Sequence, residues 1–311
     1  MSVTRFVGTA LKGAAMGAAN VIPGVSGGTI ALISGIYQEL IDTLKSFGWG
    51  PIKQLTHGQF KKCFDSLNGS FVCALGIGLV VSIITVAKML ERLLANHETL
   101  TMAFFFGLIL ASVFMVAKKV PKWNLTSGLS LLIGIAIAAA VLLFEPLQQN
   151  ANPGYLLLCG IVAMCSMILP GISGSFILIL MGNYGLVIGA IGNIRDFKTA
   201  LPVLVPFGFG CAVGLLGFAR ALSYVLGKFK AATLAGLSGF VIGSLAVIWP
   251  WKTEITKQFE GKVTGYEWNY PAPDQALFHA VLLMLAGAGL VLILDRIAGP
   301  KPDTSKGKGN K

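Results

Sequence analysis

Asn20-Val-Ile-Pro-Gly-Val-Ser-Gly-Gly-Thr-Ile-Ala-Leu-Ile-Ser-Gly-Ile-Tyr37 decides how this chain folds, because Leu169-Pro-Gly-Ile-Ser-Gly-Ser175 answers it in the second half. Pro23-Gly24-Val25-Ser26-Gly27-Gly28 aligns with Pro170-Gly171-Ile172-Ser173-Gly174-Ser175 at an offset of 147 residues. The match continues through Ile30/Ile177, Gly35/Gly182 and Tyr37/Tyr184. Each copy interrupts an apolar region, residues 6–46 and 154–194, near its middle. Proline breaks a helix and glycine permits irregular backbone. Such a break is tolerated at membrane depth only where it is buried in protein or lines a cavity. Both regions are therefore expected to be re-entrant helical hairpins, each entering and leaving on one side.

Outward from these loops, the composition excludes a soluble protein. Of 311 residues, 55% are hydrophobic and 12% charged, against about 25% charged in ordinary soluble domains. So few charges cannot cover a water-facing surface, and so many apolar residues exclude disorder. Six further runs approach the roughly 20 apolar residues a crossing needs: 70–94, 98–118, 124–144, 201–226, 233–250 and 276–298. The net charge of +11 does not indicate nucleic acid, since most basic residues flank apolar runs. With the N-terminus in the cytoplasm, 16 of the 24 Lys and Arg residues fall inside and 6 outside, with Lys88 and Arg220 within spans. That asymmetry predicts cytoplasmic termini and a basic cytoplasmic tail. The long external loop at 251–275 carries Trp251, Tyr266, Trp268 and Tyr270, rings suited to the membrane interface.

The spans repeat as well. Gly76 and Gly78 match Gly208 and Gly210, Lys88 matches Arg220, Gly107 matches Gly239 and Ser112 matches Ser244, at an offset of 132. The longer basic loop at 48–69 absorbs the change in offset. The chain thus divides into residues 1–150 and 151–311, each one hairpin plus three spans. Three is odd, so the second copy enters the membrane upside down. The expected fold is an all-α polytopic membrane protein with an inverted-topology repeat, an architecture of secondary transporters whose ligand site lies on discontinuous helices where the repeats meet.

The loops have the chemistry of an anion site. Backbone N–H groups at a helix start, glycines that permit close approach and hydroxyl donors together suit a phosphate or carboxylate. Ser26, Gly27, Gly28 and Thr29 form one candidate half-site and Ser173, Gly174 and Ser175 the other, with Asn20 as an amide donor. The same small residues also serve close helix packing, and Gly13-xxx-Gly17 and Gly239-xxx-Gly243 are expected to do that. Lys88 and Arg220 are candidate counter-charges, with snorkelling to an interface as the alternative. Glu39 is a candidate proton site, with a hydrated helix end as the alternative. His57, His97 and His279 are isolated, and the five cysteines show no metal-ligand spacing, so neither a metal site nor a cofactor is called for. No nucleophile elbow or phosphate-binding Walker loop is present, which disfavours an intramembrane hydrolase.

The segment from Asn20 to Tyr37, together with the second motif at 169–175, resembles the polyprenyl-phosphate (undecaprenyl-phosphate) translocases of bacteria and archaea, over nearly the whole chain. The resemblance implies a flippase, not an enzyme. It would return undecaprenyl phosphate from the outer to the inner leaflet of the cytoplasmic membrane for envelope glycan synthesis. The implied partners are the lipid and the membrane. Self-association into a homo-oligomer is left open. A transporter or channel for a small anion would use the same loops, and a polyprenyl pyrophosphate phosphatase is the less favoured third reading. Ser175 stands where the first motif has Gly28, so an anion would approach that backbone less closely.

Overall fold

The computed structural model describes residues 1–21, 26–144, 146–256 and 263–298. Pro23, Gly24 and Val25 of the first motif, the tail beyond Ala298 and the side chain of Lys88 lie outside the described residues. Helix α1 (Val3–Val21) enters the first motif, and two short helices leave it, α2 (Gly27–Ile33) and α3 (Tyr37–Ser46). The 48–69 loop holds α4 (Trp49–Thr56) and α5 (Phe60–Ser66), after which α6 (Gly69–Lys118) and α7 (Leu125–Val141) complete the first half. The second half begins with α8 (Pro153–Ile168), α9 (Gly174–Leu180) and α10 (Tyr184–Gly192) around its motif. It continues with α11 (Phe197–Lys228), α12 (Lys230–Ser244), the strands β1 (Lys252–Thr256) and β2 (Val263–Trp268), and α13 (Gln275–Ala298). The antiparallel pair β1–β2 adds a small hairpin to an otherwise helical membrane protein, within the aromatic loop at 251–275.

Among the described residues, four helical stretches are long and apolar enough to cross a membrane: Gly69–Val86, Arg92–Lys118, Phe197–Lys228 and Gln275–Ile293. The pair α9 and α10, bent by 114°, makes a fifth if taken as one broken span. The other two expected spans are shorter than their apolar runs, at 17 residues in α7 and 15 in α12. Pro250 cannot continue a helix and disfavours helical backbone just before it, and the last turns of the 233–250 run are lost.

The expected loop between 94 and 98 is instead a bend inside one helix. His97 alone leaves helical geometry within α6 (φ −143, ψ 48), and Phe229, 132 residues on, separates α11 from α12 with φ −128 and ψ 48. The following threonines brace both breaks in the same way. The Thr101 hydroxyl donates to the carbonyls of His97 (2.8 Å) and Leu93 (3.3 Å). The Thr233 hydroxyl donates to those of Phe229 (2.9 Å) and Val225 (3.3 Å). The motif regions also differ from plain two-legged hairpins. The leg after each motif stops after 7 residues and turns at Gly35 or Gly182, both at φ +74, a left-handed conformation that glycine adopts without penalty.

Glycines set the helix contacts. Gly13 and Gly17 bring α1 onto the carbonyls of Leu75 and Leu79 in α6, and Gly160 brings α8 onto that of Phe207 in α11. The last helix of each half packs on the other half. Gly107 and Gly287 face Met284 and Phe104 where α6 meets α13, and Gly134 and Gly239 face Gly236 and Leu131 where α7 meets α12. Backbone approaches this close supply dispersion contacts that apolar lipid does not compete away. The main buried cluster lies where the halves interlock: Leu32, Tyr37 and Ile41 of α2 and α3 pack with Ile168, Ala219 and Leu237.

Candidate functional site: the two Ser-Gly loops

The two motif loops lie against each other, and the described part of the first, from Ser26 onward, has its donors engaged. The Ser26 side chain is buried and caps α2 by accepting from the Gly28 N–H at 3.1 Å. Asn20 Oδ1 accepts from the Gly27 N–H at 2.8 Å. The Thr29 and Ile30 N–H groups donate to the Ser26 carbonyl. The orphan donors at the start of this helix therefore all have partners inside the protein. The hydroxyls are committed as well: Ser26 Oγ donates to the Leu169 carbonyl at 3.4 Å, Thr29 Oγ1 accepts from the Gly171 N–H at 2.9 Å, and the Tyr37 hydroxyl donates to the Ile168 carbonyl at 3.0 Å. A Cβ at Gly28 would stand 2.8 Å from the Ile168 carbonyl oxygen. The close approach that Gly28 permits is to the backbone of the second motif.

The second loop has the opposite character. Ser173 precedes α9 without a side-chain cap, and its hydroxyl meets that of Ser175 at 2.7 Å. Ser175 is exposed and Ser173 half-buried. The N–H groups of Gly174, Ser175 and Phe176 find no acceptor among the described residues, the first backbone bond of this turn being Ile177 N–H to the Ser173 carbonyl. The loop borders a narrow cleft lined by Ala138, Val141, Gly171, Ser173, Phe176 and Ser244. The repeat explains the difference. Where the first copy has Asn20 and Thr29, the second has Met167 and Phe176, which offer no oxygen to the loop. Tyr37 was legible only as a repeat match with Tyr184. Its part in tying the loops together needs the fold.

The remaining candidates lie apart from the loops. Arg220 reaches the end of α3, donating from Nη2 to the Phe47 carbonyl at 2.6 Å and from Nη1 to the Leu216 carbonyl at 3.2 Å. Glu39, in the first turn of α3, pairs with Arg5 at 2.8 Å and accepts from Asn68 at 3.2 Å. The carbonyls ending α2 receive Lys12 (to Ser34, 2.8 Å) and Lys119 (to Leu32 and Ile33, 3.4 Å each). Cations are favourable at this negative helix end. Among the described residues no group of His, Cys, Asp and Glu is arranged to hold a metal ion.

Broken helices, glycine-mediated helix contacts and apolar crossing stretches define a polytopic helical membrane protein with two discontinuous loops meeting inside it. The chain belongs to the VCA0040-like, undecaprenyl phosphate translocase-like family, whose model matches residues 16–264. It is 37% identical over 306 residues to a polyprenyl-phosphate transporter of Vibrio cholerae, covering 94% of this chain and 97% of the relative. It is 33% identical over 253 residues to a polyprenyl-phosphate transporter of Staphylococcus aureus, covering 77% of this chain and 85% of that one. No solved structure matches the chain.

Proposed function

We infer that the protein carries undecaprenyl phosphate across the bacterial cytoplasmic membrane, from the outer to the inner leaflet, and so recycles the lipid carrier for peptidoglycan and other envelope glycans. The names of both relatives support the lipid class, and the positive-inside count supports cytoplasmic termini. In this reading residues 1–150 and 151–311 are inverted repeats. Their support is the recurrence of motif, glycine turn and helix break at offsets of 147 and 132 residues. The protein acts as a translocase and makes or breaks no covalent bond.

The observation that carries the reading is the set of unused donors in the second loop. Ser173 and Ser175, whose hydroxyls bond each other at 2.7 Å, leave one hydroxyl free to donate, and Gly174, Ser175 and Phe176 supply N–H groups with no acceptor among the described residues. A phosphate monoester offers the oxygens they lack, and its isoprenoid tail stays in lipid. In the alternate state the halves exchange conformations, as inverted symmetry permits. Ser26, Gly27, Gly28 and Thr29, with the Asn20 amide, then take the headgroup. Lys88 and Arg220 supply counter-charge, one toward each end of the path. Glu39 is a proton site only if its pairing with Arg5 opens during transport.

The test is a liposome assay that follows undecaprenyl phosphate in each leaflet. Purified protein should accelerate its movement, and Ser173→Ala with Ser175→Ala should slow that movement about tenfold, as expected when hydrogen bonds to a charged acceptor are lost. Equal rates with and without protein would overturn the function. A normal rate in the double variant would remove the second loop from it.

A further inference from the structure

We propose that the groove beside the His97 bend is a docking site for the phosphate monoester headgroup of a long-chain lipid, with Arg92 as its cationic contact. The proposal rests on the transporter reading above and adds a site outside the Ser-Gly loops. The groove is shallow and open, and is lined by Thr85, Met89, Arg92, Leu93, Asn96 and His97. Positions 85, 89, 92 and 96 fall on one face of α6 at helical spacing. Polar Thr85, Arg92 and Asn96 therefore share that face with apolar Met89 and Leu93. Lys88 stands one turn before Arg92 on the same helix.

The cations at the two breaks are used differently. At the equivalent break of the second half, Arg220 donates to the Phe47 carbonyl. Lys228 donates to the Tyr224 hydroxyl at 3.2 Å and lies 5.4 Å from the centre of the Phe229 ring. Arg92 corresponds to Tyr224. Arg92 has no hydrogen-bond or ion-pair partner for its side chain among the described residues, a state it shares with the exposed Lys230 beside Phe229, while its own carbonyl is held by Asn96 at 2.8 Å. A guanidinium fork matches two phosphate oxygens at once. Exposed Met89, Ile84 and Val81 continue an apolar surface along the helix, on which a polyprenyl chain can lie. A free phosphate would use the fork and ignore that surface, so the occupant is a lipid.

Binding of undecaprenyl phosphate to the full-length protein in phosphatidylcholine nanodiscs tests this. Arg92 is exposed and its side chain has no polar partner among the described residues, so its variants report on the ligand. Arg92→Gln should weaken binding about tenfold, and Arg92→Lys should restore affinity to within about threefold of wild type. Inorganic phosphate should compete poorly, and binding of phosphatidylglycerol should be the same in wild type and Arg92→Gln. Wild-type affinity in Arg92→Gln would overturn the groove and leave the transporter reading intact. Equal loss for phosphatidylglycerol would make Arg92 a general interfacial anchor and also overturn it. Absence of undecaprenyl phosphate binding in the wild type would overturn both.

Discussion

The loops at 26–29 and 173–176 come from nearly the same sequence, and they differ in every donor. In the first, Asn20, Ser26 and Thr29 accept from the Gly27, Gly28 and Gly171 N–H groups, and α2 and α3 sit in the cluster where the halves interlock. In the second, Met167 and Phe176 replace two of those oxygens, α9 and α10 pack mainly within their own half, and three N–H groups find no acceptor among the described residues. A repeated motif therefore marks two places in the fold without assigning them one task. In this state the first loop is a buttress and the second is the open face it supports.

The largest effect expected from this contrast is at Gly28. A Cβ there meets the Ile168 backbone, so Gly28→Ala should cost about 1–3 kcal/mol through overpacking, seen as earlier thermal unfolding in detergent. Ser175→Gly, at the equivalent position, should leave unfolding unchanged. Equal stability of the two variants would break the comparison. Ser26→Ala should cost about 1 kcal/mol as a lost helix cap, while Ser173→Ala should stay within about 0.5 kcal/mol of wild type. The same melts decide this, and a larger loss in Ser173→Ala would reverse the assignment of buttress and open face. The smallest effect is at Glu39. Its pair with Arg5 is largely exposed (side chains 55% and 30%), so Glu39→Gln should cost about 0–1 kcal/mol and leave the liposome transport rate near wild type. A rate that collapses with stability intact would make Glu39 the proton site.

The helical membrane class, the two broken regions and the match between halves were legible because apolar run length and the Pro-Gly spacing are local signals. The junction between the runs ending at 94 and beginning at 98 was legible, but its form, a bend at His97 within one helix, was not, since nothing in Ala95-Asn-His-Glu98 breaks a helix by composition. It shows itself through Thr101, whose bond to the Leu93 carbonyl, eight residues back, exists only once the chain has bent. The shortened α12 was hidden because apolar residues continue past Ser244 to Pro250 after the helix has ended. In the candidate site, residue types were legible and their employment was not. Ser26 and Thr29 read as anion donors by chemistry, yet their partners, Leu169 and Gly171, lie more than a hundred residues away. Arg220 likewise looked like a free intramembrane charge until the fold brought the Phe47 carbonyl to it.

The difference between the loops can be measured directly by hydrogen–deuterium exchange on the protein in nanodiscs, with and without undecaprenyl phosphate. Without lipid, the amides of Gly174 to Phe176 should exchange quickly and those of Gly27 to Ile30 slowly, since only the latter are hydrogen-bonded. With lipid, Gly174 to Phe176 should become protected and Gly27 to Ile30 should change little. Protection that arises at Gly27 to Ile30 while Gly174 to Phe176 continue to exchange freely would contradict the account.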